Sequence, residues 1–122
     1  MINYLLIIIT ILGTVIGQII LKYGQRTLLY PGAWNIKEIF LSVIHNLTNI
    51  YFIGALLSAL IAALSWAMVI QKFNLSFAYP FMALSYVLIV FSSVFLFKET
   101  ISLFQITGTI LIVIGIIFIG LK

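Results

Sequence analysis

Formal charges are sparse along this chain, falling at Lys22, Arg26, Lys37, Glu38, Lys72, Lys98, Glu99 and Lys122 and leaving long runs with none between them. The runs 1–21, 46–71, 73–97 and 100–121 each reach the roughly 20 residues that an α-helix needs to cross a bilayer. Segments 5–9 and 110–114 are apolar without interruption, whereas a barrel strand alternates apolar with polar positions. The pattern predicts an all-α membrane protein, a four-transmembrane-helix bundle with spans at about 2–22, 50–70, 76–97 and 101–121 in a single domain of residues 1–122. The first run has no basic n-region and no small-residue cleavage site before Lys22, so it is expected to be retained as the first helix.

The only sizeable loop joins the first two spans. After the Tyr30-Pro31-Gly32 turn, Ile36, Ile39, Phe40, Val43, Ile44 and Leu47 recur at helical spacing, leaving Lys37, Glu38, Ser42 and His45 for the opposite face. This predicts an interfacial amphipathic helix at about 35–47, opened by a capping box from Asn35 to Glu38. Glu38 and His45 are read as part of its solvated face. The connections at Lys72–Asn74 and Lys98–Glu99 are short enough to make consecutive helices antiparallel neighbours, with both termini on one side. Lys22, Arg26, Lys37 and Lys98 then face Lys72 and Lys122 across the membrane, a bias that favours termini outside. Asn46-Leu47-Thr48 and Asn74-Leu75-Ser76 match glycosylation acceptors, but their closeness to the membrane surface argues against modification.

Composition sharpens the picture. With 65% hydrophobic and 7% charged residues among 122, the chain suits lipid as its solvent. Its net charge of +4 is scattered over helix ends and builds no basic stripe, so nucleic acid is not an expected partner. No cysteine, no aspartate, two glutamates and one histidine leave little for acid–base chemistry, nucleophilic catalysis or metal ligation. Neither an enzyme nor a cofactor or metal is expected.

Within the spans, Thr10, Gly13, Thr14, Gly17, Gln18 and Lys22 form one polar, small-residue stripe on the first helix. A glutamine facing lipid is costly, so the stripe should face protein or a wet cavity. Gly13 and Gly17 serve either close packing or a substrate path. Gly54, Ser58, Ala62 and Ser65 suggest packing on the second span, with Trp66 as packing or lining. In the third, Pro80 is expected to break helical geometry at Tyr79, and Tyr79, Ser85, Tyr86 and Ser93 to follow one side. Tyr86 is too deep for an interfacial belt, so its hydroxyl is expected to find a partner inside the protein. On the last span, Gly108 and Gly115 share a face suited to association.

Gly17-Gln18 through Lys22, the segment Asn74-Leu75-Ser76-Phe77-Ala78-Tyr79-Pro80, Lys98-Glu99 and the Gly108/Gly115 spacing together resemble the drug/metabolite transporter superfamily, in its small four-helix branch. The resemblance covers all four spans and divides between the small multidrug resistance exporters and the small subunits of the flippase for aminoarabinose-phosphoundecaprenol. Where those exporters carry a proton-coupling glutamate, this chain has Thr14, and its long first loop fits them poorly. A cation in the membrane core without a carboxylate meets a penalty of about a few kcal/mol or more. Gly17, Gln18, Lys22, Ala78, Tyr79, Pro80 and Glu99 match the flippase subunits.

That resemblance implies translocation of a lipid-linked polar headgroup, such as a polyprenyl-phosphate sugar, in a bacterial inner membrane. Lys22 with Arg26 would attract the phosphate, Gln18, Thr14 and Tyr86 would hydrogen-bond the headgroup, and Trp66 and Tyr79 would line its path. Four helices enclose too little, so a homodimer or a heterodimer with a similar subunit is expected, in contact at Gly108 and Gly115. The alternatives are an exporter of cationic or amphipathic compounds and a non-transporting accessory subunit of a membrane complex.

Overall fold

Side-chain caps and a left-handed turn mark several of the element ends. The computed structural model describes residues 2–121 and contains α1 (Ile2–Gly24), α2 (Ile36–Leu47), α3 (Ile50–Lys72), α4 (Leu75–Phe97) and α5 (Leu103–Gly120). Lys122, counted above with Lys72, lies outside the described residues. The Asn49 side chain accepts from the Tyr51 and Phe52 N–H groups to open α3. Ser102 and Gln105 form a reciprocal capping box at the start of α5. Lys98 closes α4 in the left-handed conformation, φ 54°, as the Glu99 N–H donates to the Ser93 carbonyl. Helices α1, α3, α4 and α5 are long and apolar enough to cross a membrane, and α2 lies between the first two, the expected fold class.

Pro80 does not break α4. It is the sixth helical residue, and Tyr79 remains helical. The missing N–H costs a single bond, to Ser76 near the helix end, and the rest of the ladder continues.

The seam between α1 and α3 is the tightest. A Cβ on Gly13 would lie 3.1 Å from Ala62 Cβ and 3.2 Å from the Ser58 carbonyl, and one on Gly17 would lie 3.3 Å from the Ala55 carbonyl. Ser58 Oγ donates to the Gly13 carbonyl at 2.7 Å, tying the two helices together across this seam. Lipid offers no hydrophobic drive to such an interface, so dispersion and this interhelical hydrogen bond must hold it.

α1 also packs on α4, while α5 touches only α4 among the described elements. The spatial order is therefore α3, α1, α4, α5. The expectation that consecutive helices are neighbours holds for α4 and α5 but fails for α3 and α4, which meet only sparsely. α1, drawn in by its small residues, occupies the space between them. Tyr4, Phe73, Phe77 and Phe81 form a chain of aromatic contacts at that end, with centroids 5.2 to 5.9 Å apart.

The core sits in the same half of the molecule. Ile7, Ile11, Val69 and Ala78 are its buried members, with Trp66, Phe81 and Met82 packed against them. The opposite half, toward Lys22, is where packing opens.

Two asparagines fasten the long loop there. Asn46 accepts from the Leu29 N–H at 2.8 Å and donates to its carbonyl at 2.9 Å, and Asn49 donates to both Thr27 oxygens. Asn35 accepts from the Glu38 N–H as the N-cap, but the Glu38 carboxylate accepts from Gly32 N–H, so the predicted capping box is only half formed. Ser42, assigned above to the solvated face, is the buried residue of α2. Its hydroxyl donates to the Glu38 carbonyl, which lets that flank turn inward. Ile36 and Phe40 on the apolar face stay exposed, as befits a helix lying in the membrane interface.

Candidate functional site

Six threonine and serine hydroxyls in the spans are satisfied by their own helix. Thr10 donates to the Leu6 carbonyl and Thr14 to the Thr10 carbonyl, while Ser92 and Ser93 donate to Leu88 and Val90 carbonyls. Such back-bonding removes the cost of a hydroxyl in lipid without requiring a ligand. Spare polar capacity is thereby concentrated at a few positions.

Two cavities flank α1. The first, about 390 Å³, is lined by Thr14, Gly17, Gln18, Phe52, Ala59, Trp66 and neighbours, and its wall is mostly apolar. It spans Thr10 to Leu21 on α1, roughly 16 Å at 1.5 Å per residue. The second, about 420 Å³, opens between the ends of α1 and α4 and is lined by Gln18, Lys22, Gln25, Ser92, Ser93, Phe97 and Glu99 among others. Gln18 and Leu21 belong to both.

Lys22 is not a free cation. Its Nζ lies 2.7 Å from Glu99 Oε1 and 5.9 Å from the centroid of the Phe97 ring. The two side chains are 41% and 42% exposed, so a ligand can reach both. An ion pair this open contributes only about 0–1 kcal/mol to stability.

The structure thus brings Thr14, Gln18 and Trp66 to the apolar cavity and Gln18 and Lys22 to the polar one. Tyr79 packs edge-on against Trp66, 5.8 Å between centroids, from an exposed position. Arg26 is exposed and lines neither cavity. Tyr86 departs from expectation: it is 42% exposed, lines neither cavity and has no side-chain hydrogen bond among the described residues. It lies next to Ser85, which takes the inward position on α4. Ser85 Oγ is the buried side-chain oxygen without a partner among the described residues.

Gly108 and Gly115 lie on the outermost helix, and a Cβ at either would meet nothing within 4 Å. Glu99 and Gln25 were not singled out as site residues on chemical grounds. For Glu99 a signal existed, since it is one of two acidic residues and falls on the same side of the membrane as Lys22.

A row of membrane-length helices enclosing paired polar and apolar cavities describes a small transporter. The chain belongs to the EamA-like transporter family, which it matches over residues 2–121. It is 28% identical to the "Probable 4-amino-4-deoxy-L-arabinose-phosphoundecaprenol flippase subunit ArnE" of Pseudomonas savastanoi pv. phaseolicola, over 97% of this chain and 96% of that protein. It is 30% identical to the corresponding probable subunit ArnF of Shewanella sediminis, over 94% of this chain and 85% of that one. A probable ArnE of Pseudomonas aeruginosa is 33% identical over 54% of this chain and 57% of its own length. No solved structure gives a significant match. Kinship and four spanning helices make this an integral protein of the bacterial inner membrane.

Proposed function

We propose that this protein is a subunit of a flippase that moves a lipid-linked polar headgroup, such as a polyprenyl-phosphate sugar, across the inner membrane. The observation that carries the reading is the pair of adjoining cavities. The polar one is sized for a headgroup, and the apolar groove that shares Gln18 and Leu21 with it offers a bed for an isoprenoid chain. A translocated headgroup needs polar walls while its tail stays in lipid, and this division matches that need.

In this reading Lys22 engages the phosphate, Gln18 hydrogen-bonds the headgroup as it passes between the cavities, and Thr14, Trp66 and Tyr79 border the groove. Arg26 and Tyr86, which line neither cavity, act before or after that position. A partner of similar architecture completes the path, and the open edge at Gly108 and Gly115 is its contact, because small residues let helices approach closely.

The test is headgroup translocation in proteoliposomes. Lys22→Met is expected to abolish it while leaving insertion intact, and unchanged transport refutes the assignment. Export of lipophilic cations is the rival within transport, and Thr14 in place of a carboxylate weighs against it.

A further inference from the structure

α2 is an amphipathic helix turned the wrong way round for water. Its polar positions Ser42 and Asn46, one turn apart, are buried and half-buried against the protein, whereas Ile36, Phe40, Val43 and Leu47 are exposed, Ile36 by 89%. A helix packed on a water-soluble core shows the opposite pattern. Among the described helices α2 meets only α3, and sparsely, so the protein itself leaves that apolar face uncovered. Position and charge say what covers it. α2 runs between the ends of two membrane-length helices, α1 and α3, at the level of the bilayer surface. Trp34, an interfacial residue type, stands exposed just before it. Arg26, Lys37 and Lys98 on the same side are exposed and make no ion pair among the described residues, while Glu99 is already matched by Lys22, leaving Glu38 as the remaining acid there. An apolar face bordered by unpaired cations fits an anionic lipid surface.

We propose that α2 docks on the anionic headgroup layer of the bilayer and, through Asn46, holds the loop wall of the polar cavity in place. This control acts on the wall whatever the cavity carries, so it stands apart from the flippase reading.

The relay runs through side-chain amides. Gln25, Leu28 and Tyr30 form the loop side of the polar cavity. Leu29, between the last two, has both of its backbone groups bonded to the Asn46 amide, its N–H donating to Oδ1 at 2.8 Å and its carbonyl accepting from Nδ2 at 2.9 Å. An amide that donates and accepts against one residue fixes the direction of the chain as well as its position. Asn49 holds the nearby Thr27 by its carbonyl and hydroxyl oxygens, and Asn49 is the N-cap of the spanning α3. One anchor of the loop is therefore set by a membrane-spanning helix. The other rides on α2, which little else in the protein holds. Seating α2 on the bilayer places Asn46, and lifting it draws Leu28 and Tyr30 away from the edge of the cavity.

The chain has no cysteine, so single ones can be introduced and labelled in the full-length protein. A nitroxide on Phe40→Cys, in nanodiscs of phosphatidylcholine alone or mixed with phosphatidylglycerol, is expected to be relaxed by oxygen and shielded from a water-soluble nickel chelate, as a group in lipid is. In Leu28→Cys, the rate of thiol reaction with a water-soluble maleimide is expected to fall severalfold when phosphatidylglycerol is present. Lys37→Gln is expected to reduce that fall by a factor of roughly five, the contribution of one cation near an anionic surface. Asn46→Ala is expected to raise Leu28→Cys reactivity about fivefold or more on either lipid, while the Phe40→Cys label stays in lipid. A Phe40→Cys label that meets the chelate freely, or that a second chain shields from oxygen and chelate alike, overturns the docking. Leu28→Cys reactivity indifferent to Asn46→Ala overturns the relay, and reactivity indifferent to phosphatidylglycerol overturns the anionic partner. If Leu28→Cys does not fold, Tyr30→Cys gives the same readout from the other side of Leu29.

Discussion

Gly24→Ala is a substitution whose sign the structure sets against general expectation. Gly24 ends α1 with no positive φ, so nothing in its backbone disfavours alanine, and a glycine in a helix ordinarily loses about 0.5–1 kcal/mol relative to alanine. Its surroundings reverse that gain. A Cβ there would overlap the Cβ and ring of Tyr51, and the Tyr51 Cβ cannot rotate away. The ends of α1 and α3 must part, at an overpacking cost of about 1–3 kcal/mol. Parting them also strains the Asn49 bonds to Thr27, each worth about 0.6 kcal/mol by the average for membrane hydrogen bonds. The expected net is a destabilisation of about 1–3 kcal/mol, measured by reversible unfolding in mixed detergent micelles with helical circular dichroism as the signal. Gly108→Ala is the control, with open space at its Cβ, and should be neutral or slightly stabilising. A Gly24→Ala protein as stable as wild type, or more so, refutes the packing of this corner.

Other consequences can be checked alongside. Ser58→Ala removes the hydrogen bond to the Gly13 carbonyl and should cost about 0.5–1 kcal/mol in the same unfolding assay. Asn46→Ala releases both backbone groups of Leu29, and hydrogen exchange at Leu29 should rise while the α1–α3 seam stays protected. Gly108→Leu should leave subunit folding intact but weaken association, read from the mass distribution in mild detergent, and unaltered association would remove α5 as the contact. Thr14→Glu places a carboxylate beside Gln18 and Trp66 in the apolar groove, and measurable binding of a tetraphenylphosphonium probe is expected to appear with it.

The four spans and the amphipathic α2 were legible because charge placement and a 3.6-residue period report directly on lipid contact. The small faces of α1 and α3 were legible too, since Gly13, Gly17, Ser58 and Ala62 have few uses in a membrane other than close approach or lining. Neighbour relations were not. Connection length says which helix ends are near each other, but the separation of α3 from α4 arises from α1 packing between them, a tertiary choice with no local trace. Pro80 misled for a related reason, because the effect of a proline depends on its depth in the helix and on its neighbours. Ser42 and Tyr86 exchanged their expected environments because serine can turn inward by bonding its own helix, whereas the tyrosine faces outward. The pairing of Lys22 with Glu99 was within reach of charge counting, but its distance required the left-handed turn at Lys98.

The measurement that bears most directly on the central claim is native mass spectrometry of the wild-type protein and Lys22→Met, extracted in a mild detergent. The account predicts a polyprenyl-phosphate-linked adduct on the wild type that is lost from the variant. A wild-type protein with no such adduct, or an adduct indifferent to Lys22→Met, contradicts it.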